Sequence, residues 1–580
     1  MRNLVRALVA CLLLLSPATA ARAQSGTPIF AGPAIHHPVF AANGMVASQE
    51  ALATRVGVDI LKAGGNAVDA AVAVGFALAV TLPRAGNLGG GGFMLIHLTA
   101  QDGAPGRTVA IDYRETAPAA AHRDLFLAAD GSVDKRKARF SRLSAGVPGT
   151  VAGLALAAER YGRLPLDRLV APALALARDG IAVTPDLSHS IAIRAKRLGA
   201  HKATAAIFLK PDGTAWQPGE TLKQPDLARS LGAIARDGAD AFYRGEIARR
   251  IAADMAAHDG LITLEDLAAY RAVERAPVVG TYRGVEIAAM PPPSSGGVHL
   301  LQMLNLLEGF DIAAAGHNSA RSIHLIAEAA RLAYADRSAH LGDPDHWAVP
   351  ARGLIAKAYA AELRARINPA RAGWSSEIRP GKPQPFESNE TTHFSVMDRF
   401  GNVVSNTTTL NFGYGAGIVA AGTGILLNNE MDDFSAKPGV PNAYGLIGGE
   451  ANAIAAGKRP LSSMTPTILF RDGKPLVATG SPGGSRIITT VLQMVLNLVD
   501  HGMNLAEATH APRVHHQWLP DRLQLERGIS PDTVTLLQQM GHEIKLRRAM
   551  GSTQSVQRLE GGGFAGASDP RRRGALSAGY

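Results

Sequence analysis

A chain of 580 residues, 46% of them hydrophobic, buries enough surface for two to four domain-sized units or for one large α/β body. The formal charge of +10 is spread thinly, with one dense run at Arg571-Arg572-Arg573, and aromatics are only 5%; no basic stripe interleaved with aromatics exists, which excludes a nucleic-acid role. Cys11 is the only cysteine and falls in the N-terminal apolar stretch, which excludes a disulfide, a thiol nucleophile and a cysteine-held metal from a processed chain.

In chain order, the first element reads as an export signal over 1–23. Arg2 and Arg6 precede the apolar run 7–15, and Ala21-Arg22-Ala23 supplies small residues for cleavage before Gln24. The apolar run is too short to span a bilayer, so the expected product is periplasmic or secreted, with no membrane anchor. Residues 49–81 are rich in Ala, Val and Leu and broken by Gly64-Gly65. They predict a buried helix pair, with Asp69 arguing against a membrane span. A glycine run and a strand follow over 88–97, and 151–275 alternates amphipathic helical stretches with short turns. The loop 291–297 leads into a helix at about 298–308. Residues 373–389 hold three prolines and no apolar period, an exposed linker. A β-hairpin begins at once: an extended segment to Met397, a turn at Asp398-Arg399-Phe400-Gly401-Asn402, and a return over 403–410.

Several motifs fail on inspection. No Gly-Lys pair is followed by Ser or Thr, so there is no phosphate-cradling P-loop. His542-Glu543 lacks the second histidine of a zinc helix, and Thr479-Gly480-Ser481-Pro482-Gly483 lacks the first glycine of a nucleophile elbow. His515 and His516 are adjacent, so on a strand they would point to opposite faces and not share a metal. The run Gly89-Gly90-Gly91-Gly92 favours close backbone packing over a phosphate cradle.

The linker-to-strand junction places Thr391 at the mouth of a strand. A hydroxyl is a weak nucleophile without an adjacent base; an N-terminal α-amine, pKa about 7.7–8.0, is such a base, and it exists only if the 390–391 bond is cut. Taken locally, a plain strand threonine fits as well. The segment Thr391-Thr392-His393-Phe394-Ser395-Val396, with Asp398 and Gly401-Asn402, resembles the start of the small subunit of γ-glutamyltranspeptidases, which are N-terminal-nucleophile hydrolases. Blocks at 86–92, 112–116, 424–435, 459–464, 480–485 and 551–554 are similar to family blocks in the same order.

The resemblance implies a four-layer αββα sandwich, α/β in class. It would be shared by a large subunit (24–390) and a small one (391–580) that form a heterodimer from one precursor. It implies Thr391 as nucleophile with Thr409 supporting it, and the amides of Gly483 and Gly484 as an oxyanion hole. Arg114 would clamp an α-carboxylate together with Ser462 and Ser463, while Asn411, Glu430 and Asp433 receive an α-ammonium. Glu430, where relatives vary between Gln and Glu, is expected to add a charge that tightens the ammonium's hold. Residues 438–449 would form a lid whose Tyr444 meets Asn411. The implied substrates are glutathione and other γ-glutamyl compounds, with water or amino acid and peptide amines as acceptors and no cofactor. A glutaryl-cephalosporin acylase on the same scaffold is the nearest rival.

Overall fold

The computed structural model describes residues 35–100, 105–383 and 393–580. The export segment and the Glu390-Thr391 junction therefore lie outside the described residues. The first of two seven-stranded sheets runs in the order Leu576–Gly579, Gly44–Ser48, Phe394–Asp398, Val403–Thr409, Gly91–Leu98, Arg107–Tyr113, Val273–Arg275. The second runs Val39–Ala41, Phe564–Ser568, Gln554–Arg558, Lys474–Thr479, Thr467–Arg471, Val285–Ala289, Val278–Tyr282. Every pairing in both sheets is antiparallel.

Side-chain alternation builds the layers. Val46, Met94, Ile96, Val396 and Val404 face a core shared with the helices Ala51–Lys62, Ala67–Thr81 and Thr150–Tyr161. Their neighbours Met45, Ala47, Phe93, Leu95 and Met397 face the second sheet. The far side of that sheet is covered by Gly296–Leu307, against which Ala320–His340 and Arg486–Val499 pack. Strands buried on both faces need apolar residues at every position, not every second one. The result is the four-layer αββα sandwich that the resemblance implied. Among the described residues no helix is long and apolar enough to cross a membrane.

The buried helix pair forms as read from sequence. All of Ala67–Thr81 is buried, including Asp69. Asp69 survives there because it closes a capping box with Asn66 and accepts from the amides of Arg163 and Leu164. The helix start is also pinned to the hairpin, since the Ala67 amide donates to Asp398 Oδ2 at 2.8 Å. Asp398 further accepts from the Phe400 and Asn402 amides, so one carboxylate fixes both the turn and the helix it abuts. In the glycine run, a Cβ at Gly89, Gly90 or Gly92 would lie 2.1, 2.0 or 2.4 Å from the carbonyl oxygens of Leu426, Thr409 and Thr407. Close packing, not anion binding, is what these glycines permit.

Candidate active site

The hairpin delivers its two free ends to one cavity of about 340 Å³. Its wall carries Thr409, Asn411, Arg114, Asp433, Tyr444, Ser462, Ser463, Gly483 and Gly484. Residues spread over more than half the chain thus meet, as the sequence blocks implied. Thr391 falls outside the described residues, two positions before His393, which itself lines the cavity.

Arg114 ends the Arg107–Tyr113 strand and is fully buried. Its Nη1 pairs with Glu430 Oε2 and its Nη2 with Asp433 Oδ2, each at 2.7 Å, while Nε donates to the Pro460 carbonyl at 3.1 Å. Glu115 adds a third carboxylate 3.5 Å from Nη1, with neither oxygen bonded to a described residue. The two designated acids differ in access. Asp433 is 13% exposed and faces the cavity, whereas Glu430 is 1% exposed and lies behind Arg114, off the cavity wall. Burial pushes Glu430 well above the usual carboxylate range against the opposing pull of Arg114, and pushes Glu115 up to about 7. Three carboxylates thus crowd one guanidinium, and burial works against the charge that glutamate at 430 was expected to add.

Asn411 has φ +68°, a left-handed backbone that asparagine tolerates better than most side chains. Its amide donates to Thr409 Oγ1 at 2.7 Å and its Nδ2 to the Asn429 carbonyl at 2.9 Å, which fixes the carboxamide. Tyr444 Oη donates to the Asn411 carbonyl at 2.9 Å, joining the two residues that the resemblance paired. The loop 438–449 is held in shape by Asn442, whose Oδ1 accepts from the amides of Tyr444 and Leu446. Gly484 has φ +60°, and no described acceptor takes the amide of Gly483 or Gly484. Both amides are thus at the disposal of a ligand in the cavity.

Two contributors were given no role by the sequence reading. Arg337, in the last turn of the Ala320–His340 helix, lines the cavity and donates to Ser463 Oγ at 3.2 Å and Ser295 Oγ at 2.9 Å. Ser295 in turn bonds the Ser462 carbonyl at 2.7 Å, so the serine pair rests on a cationic support. No local pattern marks Arg337, since its helix is buried on nearly every face. His393 is the other. Its Nε2 lies 2.6 Å from the Gln554 carbonyl, an acceptor only, so Nε2 carries the proton. Burial lowers its pKa to about 3, leaving a neutral ring that anchors the strand and is unsuited to act as a base at neutral pH. His515 and His516 are both buried and bonded to Thr489 and Gln517, and to Asp521, respectively. They share no metal-ligand cluster among the described residues.

The Gamma-glutamyltranspeptidase family profile matches residues 53–579. The chain is 56% identical over 578 residues to the glutathione hydrolase proenzyme of Escherichia coli (strain K12), covering 99% of each chain. It is 41% identical to the acylase ACY 1 proenzyme of Pseudomonas sp. (strain SE83), covering 92% of each. The crystal structure of cephalosporin acylase from Bacillus halodurans superposes with a TM-score of 0.83 at 29% identity, covering 95% of this chain and 98% of that one. Fold, site blocks and similarity along almost the whole length agree, and the chain belongs to the γ-glutamyltranspeptidase family.

Proposed function

We propose that the protein is a self-cleaving γ-glutamyltransferase and glutathione hydrolase whose nucleophile is Thr391, freed as the first residue of a small subunit 391–580. The observation that carries this reading is the cavity itself. Arg114 on its wall is held between two carboxylates, Asp433 beside it on the wall and Glu430 behind, and the cavity also takes in the start of the Phe394–Asp398 strand and Gly483–Gly484. A free α-amino acid head group carries one carboxylate and one ammonium; Arg114 with Ser462 and Ser463 answers the first, and Asp433 with Asn411 the second.

With the head group so placed, the Thr391 hydroxyl attacks the γ-carbonyl carbon and its proton passes to the Thr391 α-amine. The oxyanion of the tetrahedral intermediate is met by the Gly483 and Gly484 N–H groups, donors worth roughly 3–4 kcal/mol each in comparable sites. Collapse breaks the C–N bond, the amine leaves with the proton, and a γ-glutamyl ester on Thr391 remains. Water or an acceptor amine then attacks the ester by the same steps in reverse. Thr409, hydrogen-bonded to the Asn411 amide on the strand beside the nucleophile's, supports the Thr391 hydroxyl. Export to the periplasm or beyond the cell, through the signal at 1–23, belongs to the same reading.

The test is a comparison of native protein with Thr391→Ala. Native protein is expected to run as two pieces, to begin its smaller piece Thr-Thr-His-Phe, and to release the amine from a γ-glutamyl anilide. The variant is expected to stay whole and inactive, and an active uncut variant would refute the assignment. A glutaryl acylase is the second reading, favoured by the acylase relatives, but Asp433 and Asn411 would then face a substrate with no ammonium.

A further inference from the structure

The cavity has a second cationic group, unconnected with the head-group set. Arg84, Arg194 and Arg572 line it from three separate turns: after the Ala67–Thr81 helix, after Pro185–Ala192, and between Phe564–Ser568 and Leu576–Gly579. Among the described residues, one carboxylate pairs with any of the three: Asp186, with Arg84 Nη1. Arg84 Nη2 is buried with no bonding partner among the described residues. Arg194 donates only to the Ser190 carbonyl at 3.3 Å and lies over the Tyr414 ring at 6.0 Å. Arg572 makes no side-chain ion pair with a described residue; Asp569, on the same turn, is already held by Arg513 and Arg571.

Burial and mutual repulsion with Arg84 lower the pKa of both Arg194 and Arg572. Partly desolvated like charges kept together in a cavity wall are costly unless an anion enters to pair with them. The cluster is also tied to the reacting centre, because the Tyr414 amide donates to the Arg84 carbonyl at 3.0 Å, on the loop that carries Thr409 and Asn411.

We propose that Arg84, Arg194 and Arg572 form a subsite for the free carboxylate of the amine-side partner. In the first half-reaction this is the terminal carboxylate of the leaving peptide; in the second it is that of an acceptor amino acid or peptide. One subsite serves both, because the acceptor amine enters where the leaving amine departed. This rests on the γ-glutamyl-transfer reading above.

The experiment uses the native cleaved enzyme, Arg194→Gln, Arg572→Gln and Arg572→Lys. One arm compares hydrolysis of glutathione with that of its C-terminal amide. The other compares transfer from a γ-glutamyl anilide to glycylglycine and to glycylglycinamide. The readout is the acid-over-amide ratio of kcat/KM, which a general loss of activity leaves alone. The native ratio is expected to be about tenfold or more, as for a hydrogen bond to a charged group. It should fall several-fold in each Gln variant and be largely kept in Arg572→Lys. A preference in one arm alone would assign the subsite to that partner. A native ratio near one, or a ratio unchanged in both Gln variants, would overturn the subsite while anilide turnover still upheld the transferase reading. An enzyme inert toward the anilide would overturn both.

Discussion

The ring of Tyr444 lies directly over Gly484: a Cβ at position 484 would sit 2.5 Å from it. The Tyr444 loop and the loop bearing the candidate oxyanion donors are therefore fitted to one another, with no room for a methyl group. Gly484→Ala should displace the lid or the amide and lower kcat/KM roughly tenfold or more, as expected when atoms are forced into a packed site at about 1–3 kcal/mol. Tyr444→Ala in the same chain should recover part of that loss, since it removes the clash. Strictly additive effects in a steady-state double-mutant cycle would show that the two positions do not meet in the working enzyme.

Removing Arg114 should be severe. Truncating one partner of a buried charge pair costs about 2–5 kcal/mol, so Arg114→Ala should lower kcat/KM for a γ-glutamyl anilide by roughly 30- to 5,000-fold. Asp433 would be left facing the cavity without its guanidinium. Self-cleavage, followed on a denaturing gel, should persist because the Gly483–Gly484 loop is not bonded to Arg114. A variant with near-native kcat/KM would place carboxylate recognition elsewhere.

The two acids beside Arg114 should respond differently to loss of charge. Glu430 lies behind Arg114, off the cavity wall, and burial disfavours its charge, so Glu430→Gln, close to it in shape, should change kcat/KM by less than about threefold. Asp433→Asn should weaken the γ-glutamyl substrate while narrowing its advantage over a glutaryl anilide, which lacks the ammonium. Sites built to bond a polar group reject analogues lacking it by up to about 10⁴–10⁵-fold. Equal turnover of the two anilides by native enzyme would favour the acylase.

Glu115 should make stability fall with pH. Burial raises its pKa to about 7, above the ordinary value near 4.3 that it regains on unfolding. Between those values the folded state binds the extra proton, so stability is fully present below about pH 4 and is lost as pH rises through 7. Glu115→Gln keeps the shape without the titration and should flatten that decline. Thermal melts of both proteins from pH 5 to 8 would check it, and parallel profiles would count against a buried, proton-bearing Glu115.

Much of the site was legible because its chemistry lies in contiguous blocks. The hairpin, the glycine run and the Tyr444 loop each declare themselves within a dozen residues. The fold's doubly buried strands were legible as apolar runs but not as to order, since the sheets alternate strands far apart in sequence. Two things had no local trace. Glu430's place behind Arg114 joins residues 316 positions apart in sequence, with Glu115 crowding the same guanidinium. Arg337's place behind the serines depends on how a long helix with no polar face is rotated. Sequence shows which groups exist, whereas charge state and rotation are set by packing.

Both sheets interleave strands from either side of residue 391: Gly44–Ser48 pairs with Phe394–Asp398 in one, and Val285–Ala289 with Thr467–Arg471 in the other. A break before Thr391 thus divides the covalent chain without dividing any hydrophobic core. Neither fragment owns a complete sheet, so neither has a folded form to retreat to on its own. Before the cut, regaining the structure after denaturation is a unimolecular event; after it, two partners must find each other, and recovery becomes dependent on concentration. Maturation would in this way turn a refoldable chain into an assembly whose lifetime is governed by its first unfolding.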